Sequence, residues 1–579
     1  MASSCAKRLK MTEEKHEITK KTTILDLPDE VLLNILNFLS TYDILKGVAF
    51  VCREFERLSK DSLLIKELSF IDTNSDEDKR KNFTEVLARS KNLKKLEIVS
   101  KANDPYKPIV KKDKNLKKLI SIGVKSCQKV CHLEISGDSM SNNCLKKIGK
   151  WKNLQNLDIS FSMMYNGSGA SIVASMKNLR HIKLGCLKFT DQNLIELTNN
   201  CNGLESLQFF WTDALSDLSM IPLLEKRKNT LKGLHIRNYL REYSYFEVEH
   251  NWFNHLSQCQ KIEELSIWFS DDNAGLDNVM STKQMKAISK LQNLKILDLV
   301  DVFEVRDDIL SLFADIDDKL YPAIFSNRKL KNLVKLRLNS CDGVEEVIDK
   351  ILIECPKLEI LEFTEIGHIG IRNLKHCQNL KKMTLHCHTF SYDEPPITPT
   401  DLVSFFGSTA LNNLLDLTIL VKNAMNDEVI DSIAASCPQL EELCLLINDE
   451  TVRARSISKL KNLKRLKLTN WDDHRDEEIK NVLMDEDHEM GESVVLIDIL
   501  PEDLIYIFSN KNLSKLLYLS LFDCDNINDE VLKTIALNCS QLKNVRLFKS
   551  KNISEATFDF LRENCPNIPK LEFYIPNEY

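Results

Sequence analysis

Apolar residues return along this chain in a fixed phrase, L-x-x-L-x-L. Leu154…Leu157…Ile159, Leu179…Ile182…Leu184 and Leu204…Leu207…Phe209 stand 25 residues apart. The phrase recurs at Leu358…Leu361…Phe363, Leu440…Leu443…Leu445 and Leu542…Val545…Leu547. About 17 copies run from Leu93 to Ile568, at a period within the 20–29 residues of one solenoid class. The alternation in the last three positions predicts a short strand with every second residue inward. The stretch after it predicts an amphipathic helix, as in Asn528-Asp529-Glu530-Val531-Leu532 and Asp427-Glu428-Val429-Ile430, with Asn528 or Asn426 as N-cap. The expected fold class is an α/β solenoid, parallel strands on its concave side and helices on its convex side. Such an array offers a long binding face and no evident reaction centre.

A different pattern precedes the repeats. Leu27-Pro28-Asp29-Glu30 opens a helix, with Pro28 at its first position and acids in its first turn. Val31, Leu32, Ile35, Leu36 and Leu39 follow as a single apolar stripe. Thr41 is placed to cap a second helix holding Ile44, Leu45 and Val48, and Val51-Cys52-Arg53-Glu54-Phe55 begins a third. Three short helices make a marginal core. Their apolar supply exceeds what so small a unit can bury, which implies docking against another protein.

The expected domains are a basic, disordered tail at 1–22, the helical unit at 23–69, a linker and solenoid entry at 70–91, and the solenoid at 92–579. Longer gaps between phrases occur at 237–261, 301–332, 386–413 and 469–515, the last containing a long acidic insertion near 472–492. The net charge of −7 argues against nucleic acid as a partner, and no apolar run is long enough to span a membrane. Of 17 cysteines, eight (Cys127, Cys201, Cys259, Cys355, Cys377, Cys437, Cys539 and Cys565) stand three residues before the first apolar position of a repeat. That spacing assigns them to packed turns rather than to disulfides. Localisation is expected to be cytoplasmic, nuclear or both.

Leu27-Pro28-x-Glu30, then Ile35-Leu36 and Leu39, then Val51-Cys52-Arg53-x-Phe55, closely resembles the F-box. One departure is Ile65, where a Trp is common. The repeats resemble the cysteine-containing leucine-rich class, through segments such as Cys355-Pro356-x-Leu358 and Cys437-Pro438-x-Leu440. Together they resemble an F-box/leucine-rich-repeat protein. The resemblance implies a substrate adaptor of an SCF-type ubiquitin ligase, itself not an enzyme and needing no cofactor. Leu27, Pro28, Glu30, Ile35, Leu36, Val51, Cys52 and Phe55 would contact the Skp-family linker, and cullin would be reached through it. Two alternatives are a repeat scaffold acting outside a ligase and a receptor with a ligand pocket in the horseshoe. Leu500-Pro501-Glu502-Asp503-Leu504 mimics an F-box start but lacks its second half, and is expected to be a helix within a long repeat.

The protein substrate is expected on the concave face. The position after each strand's last apolar residue holds Phe210, Trp268, His386, Phe522, Phe548 and Tyr574, and Arg546 lies nearby. Aromatic residues and Arg are the types enriched at binding hot spots. His386-Cys387-His388 has no recognised metal-ligand spacing, and adjacent strand residues point to opposite faces, so no metal is expected. No nucleophile motif is present.

Overall fold

The computed structural model describes residues 23–61, 63–72, 77–100, 110–136, 140–159, 169–185, 189–211, 214–238, 251–269, 284, 287–300, 330–341, 355–366, 379–387, 397–407, 411–447, 451–469, 499–509, 511–521, 527–548, 553–568 and 572–574. The tail at 1–22, the acidic segment at 472–492, Phe522, Cys377 and His388 lie outside the described residues. The chain forms two compact units, 1–157 with 161–165, and 158–160 with 166–579.

The first unit begins with helices α1 (Asp29–Leu36), α2 (Thr41–Lys46) and α3 (Arg53–Ser59). Pro28 is the N-cap of α1, one position earlier than the sequence suggests, and Asp29 and Glu30 fill the first turn. Ser40, not Thr41, caps α2, its hydroxyl accepting from the Asp43 N–H at 3.0 Å. Cys52 caps α3, its Sγ accepting from the Phe55 N–H at 3.5 Å. Arg57 ties α3 back to α1 through Asp29 at 2.6 Å and also binds Glu54. Three parallel strands follow in the same unit: β1 (Glu67–Asp72), β2 (Lys95–Ser100) and β3 (His132–Ser136).

The unit boundary falls within β4 (Asn156–Ile159). The second unit is a parallel ladder of β5 (His181–Leu184), β6 (Ser206–Phe210), β7 (Gly233–Asn238), β8 (Glu264–Phe269) and β9 (Ile296–Val300). It continues through β10 (Lys335–Cys341), β11 (Ile360–Ile366), β12 (Lys382–Cys387), β13 (Asp416–Val421) and β14 (Glu442–Leu446). It ends with β15 (Arg465–Thr469), β16 (Tyr518–Leu521), β17 (Asn544–Phe548) and β18 (Glu572–Tyr574). The register aligns one apolar residue per strand, including Leu234, Leu265, Leu297, Leu336 and Leu361, and each of these is buried. Helices between the strands complete a mixed α/β repeat solenoid.

Among the described residues, several repeats are stitched to the one before by side chains at fixed positions. The Asn before the first apolar position donates Nδ2–H to a carbonyl of the preceding repeat: Asn293 to Gln260 at 2.7 Å, Asn332 to Gln292 at 3.0 Å and Asn379 to Pro356 at 2.9 Å. The Cys at the helix end acts in the same way. Cys201 Sγ donates to the Met176 carbonyl at 3.0 Å, and Cys127 Sγ to that of Leu87 at 3.2 Å. Burial raises the thiols of Cys127, Cys201, Cys259 and Cys565 to about 11, and those of Cys437 and Cys539 to about 12. A thiol that keeps its proton at neutral pH is a weak nucleophile, and these residues serve packing.

Asn426 and Asn528 cap their helices as the sequence suggests, accepting from the N–H groups of Val429 at 2.9 Å and Val531 at 3.0 Å. Changing Asn528 to Ala is expected to cost about 1 kcal/mol of repeat stability, read from denaturant unfolding, and Asp at the same position should restore most of it.

Candidate functional site

The helical unit divides its apolar residues between two faces of α1. Leu32 and Leu36, one turn apart, point inward and pack with Ile44, Leu58 and Leu64. Leu33, Val48 and Phe55 pack against this cluster from its edge. Val31 and Ile35 repeat the same four-residue step about 100° around the helix and stay exposed, as does Leu39 just past its end. The single stripe expected from the sequence is therefore two. A helix this short has room for both, and only the inner one finds partners within the unit.

The exposed set extends beyond α1. Ile24, Leu25, Leu27, Phe50 and Leu63 are also exposed, with Phe38 at 92% and Val51 at 68%. Single exposed apolar residues are ordinary, whereas this density in under fifty residues is not. Of the residues expected at the linker contact, Leu27, Pro28, Glu30, Ile35 and Val51 are exposed. Cys52 and Phe55 are half-buried. Leu36 is 5% exposed and belongs to the unit's own core, so its place at that contact is withdrawn. Phe38, Phe50 and Leu63 went unremarked in the sequence, where no period links them to the α1 stripe.

In the second unit the face opposite the aligned leucines is polar. Its middle row reads His235, Ser266, Asp298, Arg337, Glu362 and Thr384 across β7 to β12. The row beside it begins Phe210, Arg237, Trp268 and Val300. Trp268 lies between two cations: the Arg237 guanidinium is 4.1 Å and the Arg337 guanidinium 4.9 Å from its ring. Asp298 sits beside this stack, 3.9 Å from Arg337 and accepting from the Ser266 hydroxyl at 3.3 Å. Burial pushes the Asp298 carboxyl above its ordinary range, against the opposing pull of Arg337 and Trp268. Next to them, Glu362 bridges Lys335 at 3.0 Å and Lys382 at 3.6 Å, and Lys382 reaches Asp416 at 3.2 Å.

The aromatic positions chosen from sequence fare differently. Phe210 and Trp268 are half-buried on the polar face. His386 is 2% exposed, between Thr364 and Leu420 in register, and cannot meet a partner without rearrangement. Arg546 is half-buried, and the backbones of Phe548 and Tyr574 stand opposite each other on β17 and β18. Arg237 and Arg337 were missed. Arg237 holds the same register position as Trp268, and Arg337 the position between the two leucines, which the same alternation also sends to this face.

Among the described residues no group of His, Cys, Asp and Glu is arranged to hold a metal ion. No helix among them is long and apolar enough to cross a membrane. The Leu500-Pro501 segment forms a helix, Pro501–Ser509, whose buried Asp503 accepts from Arg455 Nε at 2.5 Å.

Residues 24–71 match the F-box-like family. Among solved structures, the chain is similar to the yeast Rad7–Elc1 complex, at 15% identity and a TM-score of 0.38, over 91% of this chain and 90% of that one. No curated protein matches the chain.

Proposed function

We propose that this protein is a substrate-recognition adaptor of an SCF-type ubiquitin ligase. Its F-box-like unit docks to a Skp-family linker, and through it to cullin, while the repeats hold the protein to be ubiquitinated. The observation that carries this reading is the unpartnered apolar surface of residues 24–71, whose own core is already filled by Leu32, Leu36, Ile44, Leu58 and Leu64. Exposed Leu27, Ile35 and Val51 are anchors for a partner rather than residues that failed to fold inward. The contribution to catalysis is positional. Holding a substrate near a ubiquitin-loaded conjugating enzyme raises its effective concentration without any reacting group on this chain.

The test is affinity purification with proteasomes inhibited, comparing wild type with a Leu27→Ala/Pro28→Ala variant. Linker and cullin are expected with wild type and absent with the variant, while substrates persist with both. A wild-type chain that captures neither linker nor cullin would reject the adaptor role.

A further inference from the structure

Three basic side chains from two strands share the polar face near the last described strands. β15 supplies Arg465 and Lys467, and β17 supplies Arg546. The register places Lys467, Ser520 and Arg546 in one row, and Arg465, Tyr518 and Asn544 in the row beside it. Neighbouring strands lie about 4.8 Å apart, so Lys467 and Arg546 bracket Ser520 within reach of their long side chains. The Arg465 guanidinium lies 4.6 Å from the ring of exposed Tyr518 and 3.5 Å from Glu442. The backbone of Glu572 stands opposite that of Arg546 in register.

Two neutral groups in this grid are unsatisfied. The Ser520 hydroxyl and the Asn544 side-chain oxygen are buried and have no hydrogen-bond partner. Native folds leave few such atoms, and each calls for an explanation. A carboxylate that displaces the side chains now covering them supplies one. It accepts from the Ser520 hydroxyl, and from the Asn544 amide after a flip that exchanges its two ends. The flanking Lys467 and Arg546 add charge-assisted contacts.

We propose that this patch binds an acidic peptide segment of the captured protein, with a carboxylate seated at Ser520 between Lys467 and Arg546. The proposal rests on the adaptor reading for its biological role. The physical claim concerns local charge alone, because the chain as a whole carries −7 and repels an acidic ligand in bulk. Tyr518 offers the aromatic surface that accompanies such contacts at interfaces.

The experiment measures fluorescence anisotropy of a short labelled poly-glutamate peptide with the purified full chain. Wild type is expected to bind it, more weakly as salt rises. Lys467→Glu/Arg546→Glu is expected to lose roughly tenfold or more in affinity. Lys335→Glu/Lys382→Glu, which alters the other basic pair of the same face, should bind as wild type does. Retained linker capture and an unchanged circular dichroism spectrum certify each variant's fold. If the first variant unfolds, Lys467→Gln/Arg546→Gln replaces it, with an intermediate loss expected. Absence of wild-type binding, equal affinity in the Lys467/Arg546 variant, or equal loss in the Lys335/Lys382 variant each overturns the proposal. So does a phosphoserine peptide that binds where poly-glutamate does not. Failure of the adaptor reading appears elsewhere, as a wild-type chain that binds the peptide and captures no linker.

Discussion

Replacing Ile35 and Val51 together by glutamate is expected to weaken capture of the Skp-family linker by about 100-fold, close to 3 kcal/mol. Both side chains are exposed in the isolated chain, so the substitutions bury no charge there and the unfolding transition should hardly move. In a complex the same positions would be desolvated, and two carboxylates pressed into an apolar contact have no compensating partner. Leu36→Ala is the informative contrast. Its side chain fills the unit's own core, so its loss creates a cavity and costs about 2–5 kcal/mol of unit stability. Linker capture would then fall only as the unit unfolds. Titration of immobilised linker, paired with denaturation of each variant, separates the two. Equal linker affinity for the Ile35/Val51 variant and wild type would show that this surface is not the docking face.

The second large effect is expected at the polar face. Arg337→Ala removes the cation closest to the Asp298 carboxylate and uncovers one side of the Trp268 ring. Leaving a buried carboxylate without that cation should destabilise the repeat unit by about 3 kcal/mol at neutral pH. Acidity supplies the diagnostic. Burial already raises Asp298 in the folded state above its unfolded value, so the folded chain keeps that proton to higher pH than the unfolded chain does. Stability from this group is therefore fullest below the unfolded carboxyl value and is lost as pH rises through the folded one. Without Arg337 the folded value rises further, and the deficit should shrink as pH is lowered from neutral. Asp298→Asn in the same background should abolish the pH dependence and recover part of the loss. Denaturation of the three chains at several pH values reads both effects. A deficit independent of pH would mean that Arg337 acts through packing on Trp268 alone.

Local periodicity was enough to read the repeats. The phrase L-x-x-L-x-L requires one inward residue every second position, so Leu234, Leu265 and Leu297 were assignable to the buried side without a structure. The caps Asn426 and Asn528 were equally legible, because a cap is a contact within four residues. The cysteine spacing likewise identified packed turns, although their hydrogen bonds to the preceding repeat were not foreseen. Motif spacing alone singled out Leu27, Ile35 and Val51, which the structure leaves exposed.

Other features depend on which distant segments become neighbours. The apolar residues of α1 look equivalent along the chain, and only the position of α2 and α3 decides that Leu36 goes inward while Ile35 remains outside. Strand register, set across connections of many residues, brings Arg237 and Arg337 onto opposite sides of Trp268. It also sets Lys467 beside Ser520 although a long segment containing the helix Pro501–Ser509 separates their strands. His386 shows the converse: its strand position predicted an outward side chain, and tertiary packing buried it. Alternation along a strand assigns each residue a face, because that follows from backbone geometry. Whether the face is open, and what shares it, follows from packing between residues far apart in the chain, and that only the tertiary structure decides.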